Sequence, residues 1–219
     1  MNEIQKPIDM NSEYVDVGIL KKCVEAAVKK FTEMDNELLC SKLDLHEQAY
    51  SHRIAVYLER IVQQELKPVL CERVMGYLRV DCEYNKHLDD GKKLDGVISY
   101  FGEFQAKYAK GAQRCCPCNV CKEMRKTPPV ASSKEGDERQ FRPDVVVHRR
   151  GCDCYNLIAI EVKKSVVCPF DLAKLKALTL NHRDGFTYGY RLGAFLYFES
   201  DKPKHLWLTN GILEDCRCP

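Results

Sequence analysis

Residues 141–165 read FRPDVVVHRRGCDCYNLIAIEVKKS: two β-branched, apolar-rich runs joined by the turn stretch RGCDC. The pattern predicts a hairpin of two adjacent strands. Side chains alternate along a strand, so Leu157, Ala159, Glu161 and Lys163 are expected on one face of the second strand and Ile158, Ile160 and Val162 on the other. A carboxylate and an ammonium on one face of a nearly continuous apolar strand are costly unless they are paired, solvated or bound to a metal. In the first strand Asp144 follows Pro143, whose missing N–H suits a strand start or an edge.

Upstream of the hairpin, residues 1–14 have the composition of a tail. Val17 to Met34 carries apolar residues at Leu20, Val24, Ala27 or Val28, Phe31 and Met34, the spacing of an amphipathic packing helix. Asp44 is the expected N-cap of a long helix that Pro68 closes, with Glu47, Tyr50, Ile54, Leu58 and Ile61 on one face. Glu47 is then either the acidic half of a capping pair or an acid turned towards the sheet. Tyr77 to His87 alternates as a first strand, Asp89-Asp90-Gly91 reads as a turn, and the following 92–111 is ambiguous between strand and helix. Downstream, PFDLAKLKALTLNHRDG predicts a helix with Leu172, Leu175 and Leu178 or Thr179 inward. RLGAFLYFES and KHLWLTNG read as two closing strands.

Hydrophobic residues at 45% and charged residues at 30% describe a globular chain, without an apolar run long enough to span a bilayer. The first residues, MNEIQKPIDMNSEY, lack the pattern of a secretory signal, and the expected location is cytoplasmic. Residues 1–100 carry 14 Lys/Arg against 18 Asp/Glu, whereas 101–219 carry 20 against 14. A basic C-terminal half containing the hairpin suits a polyanionic substrate and gives no reason to expect a membrane partner.

Pro143-Asp144 followed by Glu161-Val162-Lys163 resembles the signature of the PD-(D/E)xK phosphodiesterase superfamily, the restriction-endonuclease-like nucleases. The predicted order of helix, strand, strand, strand, helix, strand over about residues 44–210 is similar to its core. The resemblance implies an α/β fold, a restriction-endonuclease-like central mixed sheet flanked by helices, with N-terminal helices and a Cys-rich insertion. Residues 1–43 form the tail and first helix, and 44–219 the nuclease-like domain, interrupted at about 88–140. It further implies a metal-dependent nuclease hydrolysing phosphodiester bonds, in DNA before RNA. A non-catalytic nucleic-acid-binding or zinc-stabilised protein-interaction module on the same fold is the alternative.

In this reading Asp144, Glu161 and the backbone carbonyl of Val162 hold Mg²⁺ or Mn²⁺, and Lys163 holds the attacking water or the phosphate. The superfamily's helix before the first strand often donates another acid, and Glu47 is the residue that matches; Asp95, with no ExK pattern after it, ranks behind Asp144. Lys164, Lys174, Lys176 and Arg183 are expected nucleic-acid contacts, with His182, Arg142, His148, Arg149 and Arg150 placed on similar terms. The partners implied are nucleic acid and either a second copy or a larger nuclease complex.

Thirteen cysteines, an odd number with four in CCPCNVC, suggest reduced thiols and a metal rather than a disulfide framework. Cys115, Cys118 and Cys121 stand at successive two-residue gaps. Cys152 and Cys154, or Cys216 and Cys218, would complete a tetrahedral site, and Cys115, Cys118, Cys121 and Cys154 are the preferred Zn²⁺ set. An iron–sulfur cluster, found in some relatives within the superfamily, is the second expectation, and free thiols the third.

Overall fold

The computed structural model describes residues 15–39, 46–82, 86–87, 90–91, 142–150, 153–164, 167–180, 188–199 and 202–214. Helix α1 (Val17–Met34) starts where the Asp16 carboxylate accepts the Gly18 N–H at 2.8 Å, satisfying one of the helix's orphan donors. Its period buries Leu20, Val24, Ala27, Val28 and Phe31; Met34, expected inward, is 57% exposed in the last turn. Helix α2 (Glu47–Leu66) buries Tyr50, Ile54 and Leu58 as predicted, with Ile61 only partly covered. Its N-cap is His46, without a side-chain hydrogen bond, in place of the expected Asp44, which lies outside the described residues. Glu47 is therefore the first helical residue.

A short helix that the sequence pattern did not announce, α3 (Glu72–Tyr77), leads into β1 (Leu78–Cys82). Of the rest of the strand predicted to reach His87, residues 83–85 lie outside the described residues, and Lys86–His87 (β2) pairs with Asp90–Gly91 (β3) in a separate two-stranded ribbon. The hairpin is present as β4 (Val145–Arg149) and β5 (Ile158–Lys163), antiparallel, with Val145, Val146 and Val147 opposite Ile160, Ala159 and Ile158. Helix α4 (Pro169–Thr179) follows, then β6 (Leu192–Glu199) and β7 (Lys202–Thr209). Asn210 and Gly211, at φ 49° and 71°, turn the chain into an additional strand, β8 (Ile212–Leu213). Positive φ at both central residues is what a type I′ hairpin requires, and Asn-Gly supplies it.

The result is a mixed α/β architecture. Six strands form one sheet in the order β1-β4-β5-β6-β7-β8, antiparallel at every junction except β5–β6. That parallel pair needs a crossover, and α4 provides it, packing on β5, β6 and β7. Helices α1 and α2 cover the opposite face, so α1 belongs to the same core as the sheet. Ile158, Ile160 and Val162 point to α1 and α2, Ala159 to the α4 side. Leu157, expected with Ala159, packs instead with the α1–α2 core: it precedes the strand, so the two-residue alternation does not reach it. β6 is buried along nearly its whole length because both of its faces are covered. No helix among the described residues is long and apolar enough to cross a membrane.

Candidate functional site

Asp144 lies immediately before β4, and Glu161 and Lys163 occupy the last turns of pleat in β5. The hairpin register brings these ends together. Asp144 Oδ2 accepts the Val162 N–H at 2.7 Å, tying the start of one strand to the end of the other. Glu47, at the first position of α2, closes the site from the opposite side of the sheet. Its Oε2 lies 2.9 Å from Lys163 Nζ and its Oε1 accepts the Lys164 N–H at 3.1 Å, across more than a hundred residues of sequence.

The first turns of α4 add two groups. Lys163 Nζ is 3.3 Å from Asp171 Oδ2, and Lys174 Nζ bridges Asp171 Oδ1 at 2.6 Å and Glu161 Oε1 at 2.9 Å. Glu161 is 1% exposed. The Lys174 ammonium stands beside it at contact distance, yet Glu161 Oε1 receives no hydrogen bond of good geometry. Among the described residues, four carboxylates, Glu47, Asp144, Glu161 and Asp171, thus meet two ammonium groups, Lys163 and Lys174.

Burial dominates the electrostatics. It pushes the Glu161 carboxyl well above the usual carboxylate range, and the Lys174 charge does not compensate, while Asp144 and Asp171 nearby add to the rise. Asp144 is also raised by burial, against the opposing pull of the Val162 N–H and of Lys163 and Lys174. For Asp171 the balance is reversed: burial is again the largest single influence, but Lys174 and then Lys163 outweigh it and hold the carboxyl below its ordinary value. Both lysines are disfavoured as cations by burial and still lie above the ordinary lysine value. Glu47, Asp171 and Asp144 hold the proton on Lys163, and Glu161 and Asp171 hold it on Lys174.

The predicted set of Asp144, Glu161, Lys163 and Glu47 is therefore brought into one neighbourhood, with the Val162 N–H bonded to Asp144. Lys174, expected as a phosphate contact on a solvated helix face, turns inward and is only 13% exposed along its side chain. Asp171 was not singled out as a site residue. Its only signal is its place in the first turn of the helix after the ExK strand, three residues before Lys174, a spacing equally common on solvated faces. The stem of Lys176 lies towards the β7–β8 turn at Gly211, away from the cluster. The side chain of Lys164 is half-buried beside Glu47, and Arg183, His182 and Asp95 lie outside the described residues.

Of the other cations near the hairpin, Arg142 is exposed and His148, Arg149 and Arg150 have partners within the fold. His148, 4% exposed, has Nε2 2.9 Å from Asp81 Oδ2, and Arg150 clamps the same carboxylate through Nε at 2.8 Å and through Nη2. The Arg149 guanidinium stands 5.1 Å over the Tyr77 ring. Cys23, Cys71, Cys82 and Cys168 are free thiols, whereas Cys154, in the 3₁₀ turn Asp153–Tyr155, is disulfide-bonded, against the expectation of reduced thiols throughout. Cys115, Cys118 and Cys121 lie outside the described residues.

The cluster's donor chemistry is of the kind a divalent cation takes: its acids are hard oxygen donors, and Glu161 Oε1, in contact with the Lys174 ammonium, is a buried acceptor without a hydrogen bond of good geometry. Among the described residues no three His, Cys, Asp or Glu side chains stand close enough to hold a metal by themselves. A site of two carboxylates and a backbone carbonyl is one that Mg²⁺, which retains several waters, accepts more readily than Zn²⁺. No protein-family model, no curated protein and no solved structure matches the chain.

Proposed function

We propose that this protein is a cytoplasmic metal-dependent nuclease with a restriction-endonuclease-like core, hydrolysing phosphodiester bonds in DNA. The observation that carries the reading is the convergence of Asp144, Glu161, Lys163 and Glu47, from the start of β4, the end of β5 and the first residue of α2, around two opposed ammonium groups. Asp144, Glu161 and the Val162 carbonyl would hold Mg²⁺ or Mn²⁺, which supplies charge neutralisation at the phosphate and an acidified water. Lys163 carries a compact ammonium whose proton Glu47, Asp171 and Asp144 hold against burial, suited to holding a phosphate oxygen or the attacking water. Glu47 and Asp171 fix its position from two sides. Hydrolysis then requires attack of that water at phosphorus, cleavage of the P–O bond and delivery of a proton to the departing oxygen.

The test is cleavage of supercoiled, linear and single-stranded DNA with Mg²⁺ or Mn²⁺, beside EDTA controls and Lys163→Ala. Cutting that needs the metal and is lost in the variant is the expected outcome; cutting that survives both EDTA and the substitution refutes the proposal. One observation favours a second reading. Lys174 already stands beside Glu161 at contact distance, as it would in a nucleic-acid-binding module that keeps the fold without catalysis. Salt-dependent DNA binding with no cleavage of any substrate would select that reading.

A further inference from the structure

Lys174 stands where it competes with the ion that the proposed function requires. We infer that Lys174 is a built-in counter-cation of the site, which a divalent ion must displace from Glu161 onto Asp171, so that Lys174 and Asp171 together set the metal affinity. The inference rests on the nuclease reading but concerns binding of the metal, not turnover.

Three observations support it. The Lys174 ammonium is 2.9 Å from Glu161 Oε1, the acceptor without a hydrogen bond, so an ion bound at that oxygen would share its neighbourhood with a second positive charge. Two cations at contact distance in a poorly solvated site repel strongly. Second, the ammonium has somewhere to go: Asp171 Oδ1 already holds it at 2.6 Å, one helical turn away on the same helix, so it can leave Glu161 without losing its counter-charge. Third, Glu161 is 1% exposed and the Lys174 side chain 13% exposed, which leaves Glu161 uncompensated if neither cation is present. The lysine thus keeps the metal-free fold intact, and it weakens metal binding by the same contact. Asp171 acts as a positioning residue that receives it.

The experiment is calorimetric titration of the full chain with Mn²⁺ and with Mg²⁺ at mildly alkaline pH, in the absence of nucleic acid, for the wild type, Lys174→Met, Lys174→Arg and Asp171→Asn. Lys174→Met, which keeps the stem and removes the charge, should bind Mn²⁺ roughly tenfold more tightly or better, since it removes a like charge from the site. Lys174→Arg should bind like the wild type, and Asp171→Asn, which removes the receiving carboxylate, should bind more weakly. Opposite signs for Lys174→Met and Asp171→Asn are not what loss of packing gives. Thermal unfolding in EDTA and in saturating Mn²⁺ supplies the second readout. Lys174→Met should melt below the wild type in EDTA and gain more from the ion. Unchanged or weakened affinity in Lys174→Met overturns the inference while leaving the nuclease reading standing. Absence of binding in both the wild type and Lys174→Met overturns both, and binding only in Lys174→Met supports the inference in its strongest form.

Discussion

Replacing Glu161 by Gln removes a buried charge while conserving shape, and it isolates what the site costs the fold. The two side chains have nearly the same volume, so the substitution opens no cavity, and Gln retains an oxygen facing Lys174. In the wild type the folded-state carboxyl titrates above the ordinary 4.5 because burial disfavours its charged form. The folded protein therefore keeps a proton that the unfolded chain has released. The sign follows: the contribution is fully present below 4.5 and is lost as pH rises through the folded-state value. Over that window one proton tilts the stability by up to about 1.4 kcal/mol per pH unit. Asp171, whose carboxyl is held below 3.8, acts in the opposite direction, losing its stabilisation as pH falls through the folded value, so its window lies below that of Glu161. Asp144 shares the sense of Glu161 and is present in both proteins, so what it adds to the difference is only its coupling to the Glu161 charge. Urea unfolding in EDTA across this range should show wild-type stability declining with pH above 4.5 relative to Glu161→Gln. Parallel pH profiles for the two proteins would refute the reasoning, because Glu161 would then carry no burial penalty that differs between folded and unfolded states.

Three further outcomes are expected. Asp144→Asn preserves the acceptor for the Val162 N–H and should abolish cleavage with little loss of stability, whereas Asp144→Ala also loses the 2.7 Å bond and should unfold about 1 kcal/mol more easily in urea. Phe31→Ala should cost about 3–5 kcal/mol by chemical denaturation, since Phe31 is fully buried and its ring stands within 5.7 Å of those of Tyr50 and Phe198; a cost under 1 kcal/mol, the order expected of an exposed site, would detach α1 from the core. Gly211→Ala should destabilise by about 1–2 kcal/mol, because φ is +71° and the new Cβ would lie 2.6 Å from Leu180 Cδ2; an unchanged melting temperature would show that the turn relaxes.

The hairpin was legible because its cues are local: Val145 to Val147 and Ile158 to Val162 are β-branched runs, and Pro143 marks the strand start. The periods of α1 and α2 were equally readable, down to the inward face of Tyr50, Ile54 and Leu58. What escaped had little local signal. Helix α3 is six residues long, too short for a hydrophobic period to develop, and β8 consists of two residues whose pairing depends on β7. Asn210-Gly211 did carry a turn signature, but it was absorbed into the preceding strand. Within the site, Glu161 and Lys163 announced themselves by being charged in an apolar strand. Asp171 and Lys174 did not, since an acid and a lysine three apart in a helix are usually solvated, and only the crossover of α4 onto β5 turns them inward.

The molecule contains its own control for reading this cluster. Asp35 is held by a bidentate Arg53 at 2.9 and 3.0 Å and by the Tyr57 hydroxyl at 2.6 Å, and Asp81 by Arg150 and His148. In each of those networks one carboxylate is matched by a planar guanidinium that reaches both oxygens, the arrangement that best repays desolvation. The cluster at the end of β5 departs from that pattern in every respect. Among the described residues it gathers four acids against two lysines, uses point charges instead of forks, and leaves an oxygen of its most deeply buried acid, Glu161, with a lysine contact but no hydrogen bond of good geometry. A fold that resolves buried acids elsewhere with arginine has the means to do so here. Acids gathered against lysines alone, among the described residues, at a point where two strand ends and two helices meet are the feature on which the proposed function rests, and the metal titrations above are what test it.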